Sequence, residues 1–428
     1  MAQPATLLGP AATPQEGRLR ALLALALRYG ASTLGPVAVS GAHFIASILF
    51  LRDLAAAQFG LFSFVLILSA FAMSVTGAGF VLPATRSVIA GEARDTDACF
   101  KMNLAVGLVF ALAIFLLLRF SGASSAEALP LALFGALSGW RWFARALAYI
   151  ENRMRAAILS DLVYGGVILL GLLALEVSGA VTLARGGQLL LLAALASFLP
   201  FGPAFFAAQW RAVRQGRLAS YLPIFRELTG WSLLGVALTE ATLNAHAYLV
   251  TLIAGPGAFA LPALGMLLMR PASLVQSSLP DLERPAMMRA LAAKDGRRLS
   301  QILRNFLWAL LAVLAGTVIL AAAILVFHPH LLLVYYQPQD VWIVLGLAAA
   351  IMAVRALRTP LAVLMQAAGA FKALARLSAF SALASVASTL ALLLAFGPIA
   401  ALGGILVGDL VILALIWPMA RKVRRLHA

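Results

Sequence analysis

The chain has 428 residues, 63% of them hydrophobic and only 11% charged, with a formal net charge of +16. A soluble domain is about a quarter charged, so this composition excludes a sizeable soluble core and points to one membrane domain with no appended enzyme. Nucleic-acid binding is excluded as well: the basic residues stand singly or in small groups beside apolar runs, without an aromatic-basic platform, and topology plus anionic lipid heads account for them.

Residues 1–17 are polar, rich in Pro and Ala, and lack the basic start and cleavage site of a signal peptide; they read as a disordered cytoplasmic N-terminus. About twelve apolar runs follow, each near the roughly 20 residues that a helix needs to cross hydrocarbon. The first six fall at Tyr29–Leu51, Phe59–Leu82, Cys99–Arg119, Leu129–Ile150, Ile158–Glu176 and Gly187–Ala208. After a basic linker at 211–228 come Trp231–Ile253, Ala258–Pro280, Ile302–Phe327, Val341–Gln366, Ala373–Phe396 and Ile399–Ala420. A basic tail, 421–428, closes the chain. Lipid offers no partners to exposed backbone, so such runs span as helices.

Most of the 32 Lys and Arg residues lie in alternate gaps: Arg86, Arg94 and Lys101 in one, Arg145, Arg153 and Arg155 in the next, then Arg211, Arg214, Arg217 and Arg226. Basic loops stay in the cytoplasm, which puts both termini there and makes this a multi-pass inner-membrane protein. The lone Cys99 forms no intramolecular disulfide.

The two sets of six runs read as parallel copies. Each starts with a hairpin whose second helix opens on a Phe, after Arg52-Asp53 in the first and after Gly255-Pro256-Gly257 in the second, and each second helix exits at Leu-Pro. Arg141, Leu147 and Arg155 of run four match Arg358, Leu364 and Lys372 of run ten. An even number of spans between copies relates them by a pseudo-twofold axis along the membrane normal. The expected fold is therefore all-α, two six-helix lobes at 18–210 and 229–420 enclosing a central cavity.

The hairpin Arg52-Asp53-Leu54-Ala55-Ala56-Ala57-Gln58-Phe59-Gly60-Leu61-Phe62, followed by Gly77-Ala78-Gly79-Phe80 and Arg86, resembles the turn between the first two spans of the polysaccharide biosynthesis and O-antigen flippase family. That family belongs to the multidrug/oligosaccharidyl-lipid/polysaccharide exporter superfamily. The resemblance implies a two-lobed flippase that carries a polyprenyl-pyrophosphate-linked glycan across the bacterial inner membrane by alternating access. Membrane lipids, a polysaccharide polymerase and export machinery are the other partners it implies.

Such a route needs cations and hydrogen-bonding groups where topology requires none. A charge at mid-bilayer costs several kcal/mol, which singles out Arg270 near the middle of run eight, together with Arg141, Arg355 and Arg358. Arg270 suits bidentate capture of phosphate or, alternatively, a salt bridge to Glu240. Arg141 and Arg358 either face one another across the lobes or sit nearer the cytoplasmic interface, Arg141 between the anchors Trp140 and Trp142. Glu240, Asn244 and Tyr248 share one arc of run seven; Glu240 and the isolated Asp409 are candidates for coupling to protons or sodium, with a buried ion pair as the other reading. His43 is either a polar cavity group or a helix-to-helix hydrogen bond, His246 lies off the arc, and the Ser and Thr residues of the first two runs serve packing or sugar contact. Asp161 near Arg155 reads as an interfacial pair.

No phosphate-binding loop, metal-ligand spacing or nucleophile with a positioned base occurs, so neither an enzyme nor a cofactor or metal is expected. A proton- or sodium-coupled exporter of small cationic compounds is the alternative within the superfamily, and a membrane glycosyltransferase the alternative outside it.

Overall fold

A computed structural model describes residues 35–426 except 82, 86, 87, 89–92, 152 and 330–335. The N-terminal segment 1–17, the start of the first run and Arg86 lie outside the described residues. Those described form helices joined by short turns, with no strand among them. In chain order they are α1 Gly35–Asp53, α2 Ala56–Thr76, α3 Ala93–Phe120, α4 Ser125–Ile150, α5 Met154–Val177, α6 Leu183–Ala196 and α7 Gly202–Gln215. The second half comprises α8 Gly230–Ile253, α9 Pro256–Leu268, α10 Arg270–Ala292, α11 Gly296–Phe327, α12 Pro338–Ala367, α13 Phe371–Phe396 and α14 Ala401–Leu426.

Ten helices among the described residues are long and apolar enough to cross a membrane, and the bent pair α9 and α10 makes an eleventh. α4 has the length but carries Arg141 and Arg145, and it packs inside the first half against α2, α3 and α6. The chain is a multi-pass membrane protein.

Two of the expected spans are not continuous. Run eight breaks between α9 and α10 with a bend of 57°. Pro271 has no N–H to give and its ring crowds the carbonyl four residues back, so the helix restarts at Arg270. Run six breaks at a tight turn over Leu199–Phe201, next to Gly202 at φ +78°, where Pro200 and Pro203 interrupt the hydrogen-bond ladder. Phe198, Phe201 and Phe205 fill the break, with the Trp140 ring of α4 tilted against Phe198 at 4.8 Å.

Lipid tails are as apolar as Leu, so helices associate here through close packing and buried hydrogen bonds. In the second half Gly404 and Gly408 of α14 lie directly on Thr389 and Ser385 of α13, and the Ser381 hydroxyl donates to the Gly408 carbonyl at 2.8 Å. The halves meet where α2 lies against α8 and α9. Gly60 sits on the backbone carbonyl of Pro256 with no space for a Cβ, and a Cβ on Gly257 would meet Ala57 at 3.6 Å. Phe64 packs edge-on against Tyr248 and Phe259 at 5.6 and 6.4 Å. The two hairpins that the sequence presents as copies thus close on each other.

At the other end of α2 the helix widens over Gly77–Val81, a geometry that loosens the carbonyl ladder. The hydroxyl of buried Tyr221, from the linker, donates to the Gly79 carbonyl at 2.7 Å and lies 3.1 Å from the Thr229 hydroxyl. Burial raises the Tyr221 pKa above its ordinary value, which keeps the hydroxyl a donor. The linker is stitched to both halves.

Candidate functional site: a cationic cavity between the halves

A cavity of about 410 Å³ lies between the halves, within the range of about 300–1,000 Å³ typical of small-ligand sites. The first half contributes His43, Ser63, Arg141 and Tyr164 to its wall, and the second contributes Asn244, His246, Phe259 and Arg270. Among the described residues no carboxylate lines it.

Arg270 owes its place to the bend. α9 is buried along most of its length and α10 is half-exposed, so the break sets the guanidinium at the junction, its Nε 3.4 Å from the Ser40 hydroxyl of α1. The Ser273 hydroxyl caps the Arg270 carbonyl at 3.0 Å. No carboxylate among the described residues lies within ion-pairing distance of Arg270. The salt bridge to Glu240 is not formed: Glu240 is satisfied within its own helix by the Tyr248 hydroxyl at 2.6 Å. Arg270 is therefore a cavity-wall cation that no acid among the described residues neutralises.

Arg141 and Arg358 do not face each other across the halves. Each turns back into its own half, onto a fully buried aspartate. Arg141 and Arg145, one helical turn apart on α4, share Asp161 of α5: Arg141 pairs with one oxygen and the Arg145 Nη2 reaches the other at 2.7 Å. Arg355 and Arg358 of α12 share Asp409 of α14 at 2.8 and 3.0 Å. Residues three or four apart lie on one helix face, which is why a single carboxylate can take both cations. Asp161 is accordingly no interfacial partner of Arg155, which is exposed, and Arg145 is buried rather than in a loop. Asp409 is not an isolated acid, and neither it nor Arg355, Arg358 and Glu240 reaches the cavity wall. Of the four candidate arginines the cavity collects Arg270 and Arg141.

His43 fits both of its sequence readings, since it lines the cavity and its Nε2 lies 2.7 Å from the Tyr164 hydroxyl of α5. The Tyr164 ring in turn lies under the Arg141 guanidinium, 4.3 Å from its Cζ, a favourable cation–π placement. Tyr164 escaped the sequence reading; its spacing of one turn from Asp161 was the available signal. His246, set off the arc of Glu240, also faces the cavity beside Asn244, both ring nitrogens buried without a partner. Ser47, Ser63 and Ser69 line the wall as well, and the Ser47 and Ser69 hydroxyls bond back to carbonyls of their own helices at 2.7 and 2.8 Å.

The hairpin residues divide between a tie within the first half and the half-to-half contact. Arg52 pairs with Asp53 at 2.6 Å and with Glu176 of α5 at 2.5 Å, a partner that sequence proximity does not reveal. Phe59 is buried and Gly60 is the contact with Pro256.

No protein-family model matches the chain, and no curated protein matches it. Solved structures share its fold. An inward-facing multidrug resistance MATE family transporter of the MOP superfamily aligns with 92% of this chain and 98% of its own, at TM-score 0.64 and 14% identity. Lipid II flippase MurJ in an inward closed conformation aligns over 94% of this chain and 89% of its own, at TM-score 0.64 and 13% identity. An outward-facing MATE family transporter reaches 0.54 at 14% identity, over 93% of this chain and 94% of its own. The fold is the one these solved structures share.

Proposed function

We propose that the chain is a flippase that moves a polyprenyl-pyrophosphate-linked oligosaccharide across the bacterial inner membrane for surface polysaccharide synthesis. Its segments 18–210 and 229–420 act as rocking lobes, and both termini are cytoplasmic. The observation that carries this reading is the cavity wall, which holds Arg270 without a counter-ion, Arg141 beside it and no carboxylate among the described residues. A guanidinium binds phosphate oxygens in bidentate fashion. An anion that enters the cavity removes the cost of the lone buried charge, while Asn244, His246 and the wall serines are hydrogen-bonding groups for the first sugar. A flippase for a lipid-linked substrate is among the solved structures that share the fold.

The exporter of cationic compounds rests on the MATE likeness and needs acids in the cavity. Its two candidates are engaged elsewhere, Asp409 by two arginines and Glu240 by Tyr248. The test is Arg270→Ala: lipid-linked repeat units accumulate in the inner leaflet while the protein inserts at normal abundance. Undiminished polysaccharide export at equal abundance refutes the headgroup site, and drug sensitivity without a polysaccharide defect in a deletion strain favours the exporter.

A further inference from the structure

Arg141 holds two positions at once. It lines the cavity, yet it is paired with Asp161, whose second oxygen is held by Arg145 at 2.7 Å. Its Nε is buried with no hydrogen-bond partner, and the Tyr164 ring lies beneath the guanidinium at 4.3 Å. Tyr164 is itself a cavity-wall residue, so one ring meets both the guanidinium and the cavity.

We propose that Asp161 is an internal stand-in for the substrate anion: a pyrophosphate arriving at Arg270 draws Arg141 off Asp161, and Arg145 stays behind to keep the carboxylate neutralised. The proposal rests on the anionic-headgroup reading. Two cations on one carboxylate are what such an exchange requires. With one, departure of Arg141 would strand a buried anion, which is costly; with two, the aspartate is never bare. Return of Arg141 to Asp161 then competes with the headgroup and helps to release it. Arg145 and Asp161 are thus positioning residues, acting on the substrate through Arg141.

The test uses the purified full chain and inorganic pyrophosphate, with binding followed by calorimetry, and relies on two variants that both remove Arg145. Arg145→Gln leaves Arg141 as the sole partner of Asp161, and pyrophosphate binding weakens. Adding Asp161→Asn to it restores the net charge of the wild-type cluster and frees Arg141, so binding becomes tighter than wild type by about tenfold, toward the low end of the roughly 5–150-fold range of coupling between sites. Opposite signs on one removed side chain are not produced by a merely structural role. If both variants weaken binding, or neither changes it, while the wild type binds pyrophosphate, the exchange is refuted and the headgroup reading stands. If the wild type does not bind pyrophosphate, both fall. Lipid-linked substrate supplies a second readout: the double variant lowers KM and also lowers turnover, because the headgroup leaves more slowly.

Discussion

The contact between the halves is narrow enough to be tested with one methyl group. In Gly60→Ala the new Cβ overlaps the Pro256 carbonyl oxygen and comes within 2.6 Å of its carbon. Carbon atoms rest at about 3.5–4.0 Å, and the oxygen overlap is the tighter of the two, so α2 and α9 must part by about 1–1.5 Å. Both sides of the contact are backbone, and no rotamer change relieves it. Overpacking of this kind costs about 1–3 kcal/mol. Here the cost falls only on the arrangement in which the halves meet at this end. At about 1.4 kcal/mol per factor of ten, the population with this end open grows by roughly 5- to 150-fold. The assay is alkylation of Ser63→Cys, a cavity-wall position within one turn of Gly60, in a Cys99→Ser background, by a membrane-impermeant maleimide added to each side in turn. The rate should rise by that factor from one side only, the side of the hairpin. An unchanged rate in a folded Gly60→Ala protein would show that this contact does not hold the cavity shut.

Removal of one partner from a buried ion pair costs about 3–5 kcal/mol, so Asp409→Asn, which strands Arg355 and Arg358, should lower the melting temperature by several degrees in differential scanning fluorimetry. Replacing Asp409, Arg355 and Arg358 together by apolar residues of similar size should recover most of that loss, and no recovery would mean that the triad does more than balance charge. Tyr221→Phe removes the donor to Gly79; a buried acceptor left unsatisfied costs about 1–3 kcal/mol, and limited proteolysis at Arg214 and Arg217 should accelerate while the melting temperature moves little. Glu240→Gln leaves pyrophosphate binding intact, because Glu240 stands outside the cavity wall. If Glu240 is the coupling acid, this variant loses the dependence of flipping on the ion gradient, and a gradient response equal to wild type removes it from that role.

The helices were legible in the sequence because lipid leaves a backbone no other way to satisfy its polar groups. The hairpin motif was legible because only glycine permits the approach of Pro256 to Gly60. Arg270 stood out as a charge without a topological reason, and its setting at a break was written in Pro271. What stayed hidden is the choice of partners. Asp161 lies six positions from Arg155 in the chain, yet pairs with Arg141 and Arg145, since the facing of α5 toward α4 is decided by packing that apolar periodicity does not encode. The same holds for Arg52, whose second acid, Glu176, is at the far end of α5.

That choice of partners changes what the intramembrane charges mean. Counted along the sequence, Arg141, Arg270, Arg355 and Arg358 are four charges within apolar runs. In three dimensions Arg355 and Arg358 are fixed on Asp409 away from the cavity, Arg141 is held by Asp161 at its wall, and Arg270 faces it with no acid to pair with among the described residues. A carrier must bind its cargo in one orientation and release it in the other, and a site of unpaired cations alone would bind a pyrophosphate too well to let go. On the proposed exchange, one free guanidinium and one held against an internal carboxylate form a site of intermediate strength, in which the second cation supplies affinity on entry and its aspartate reclaims it on exit.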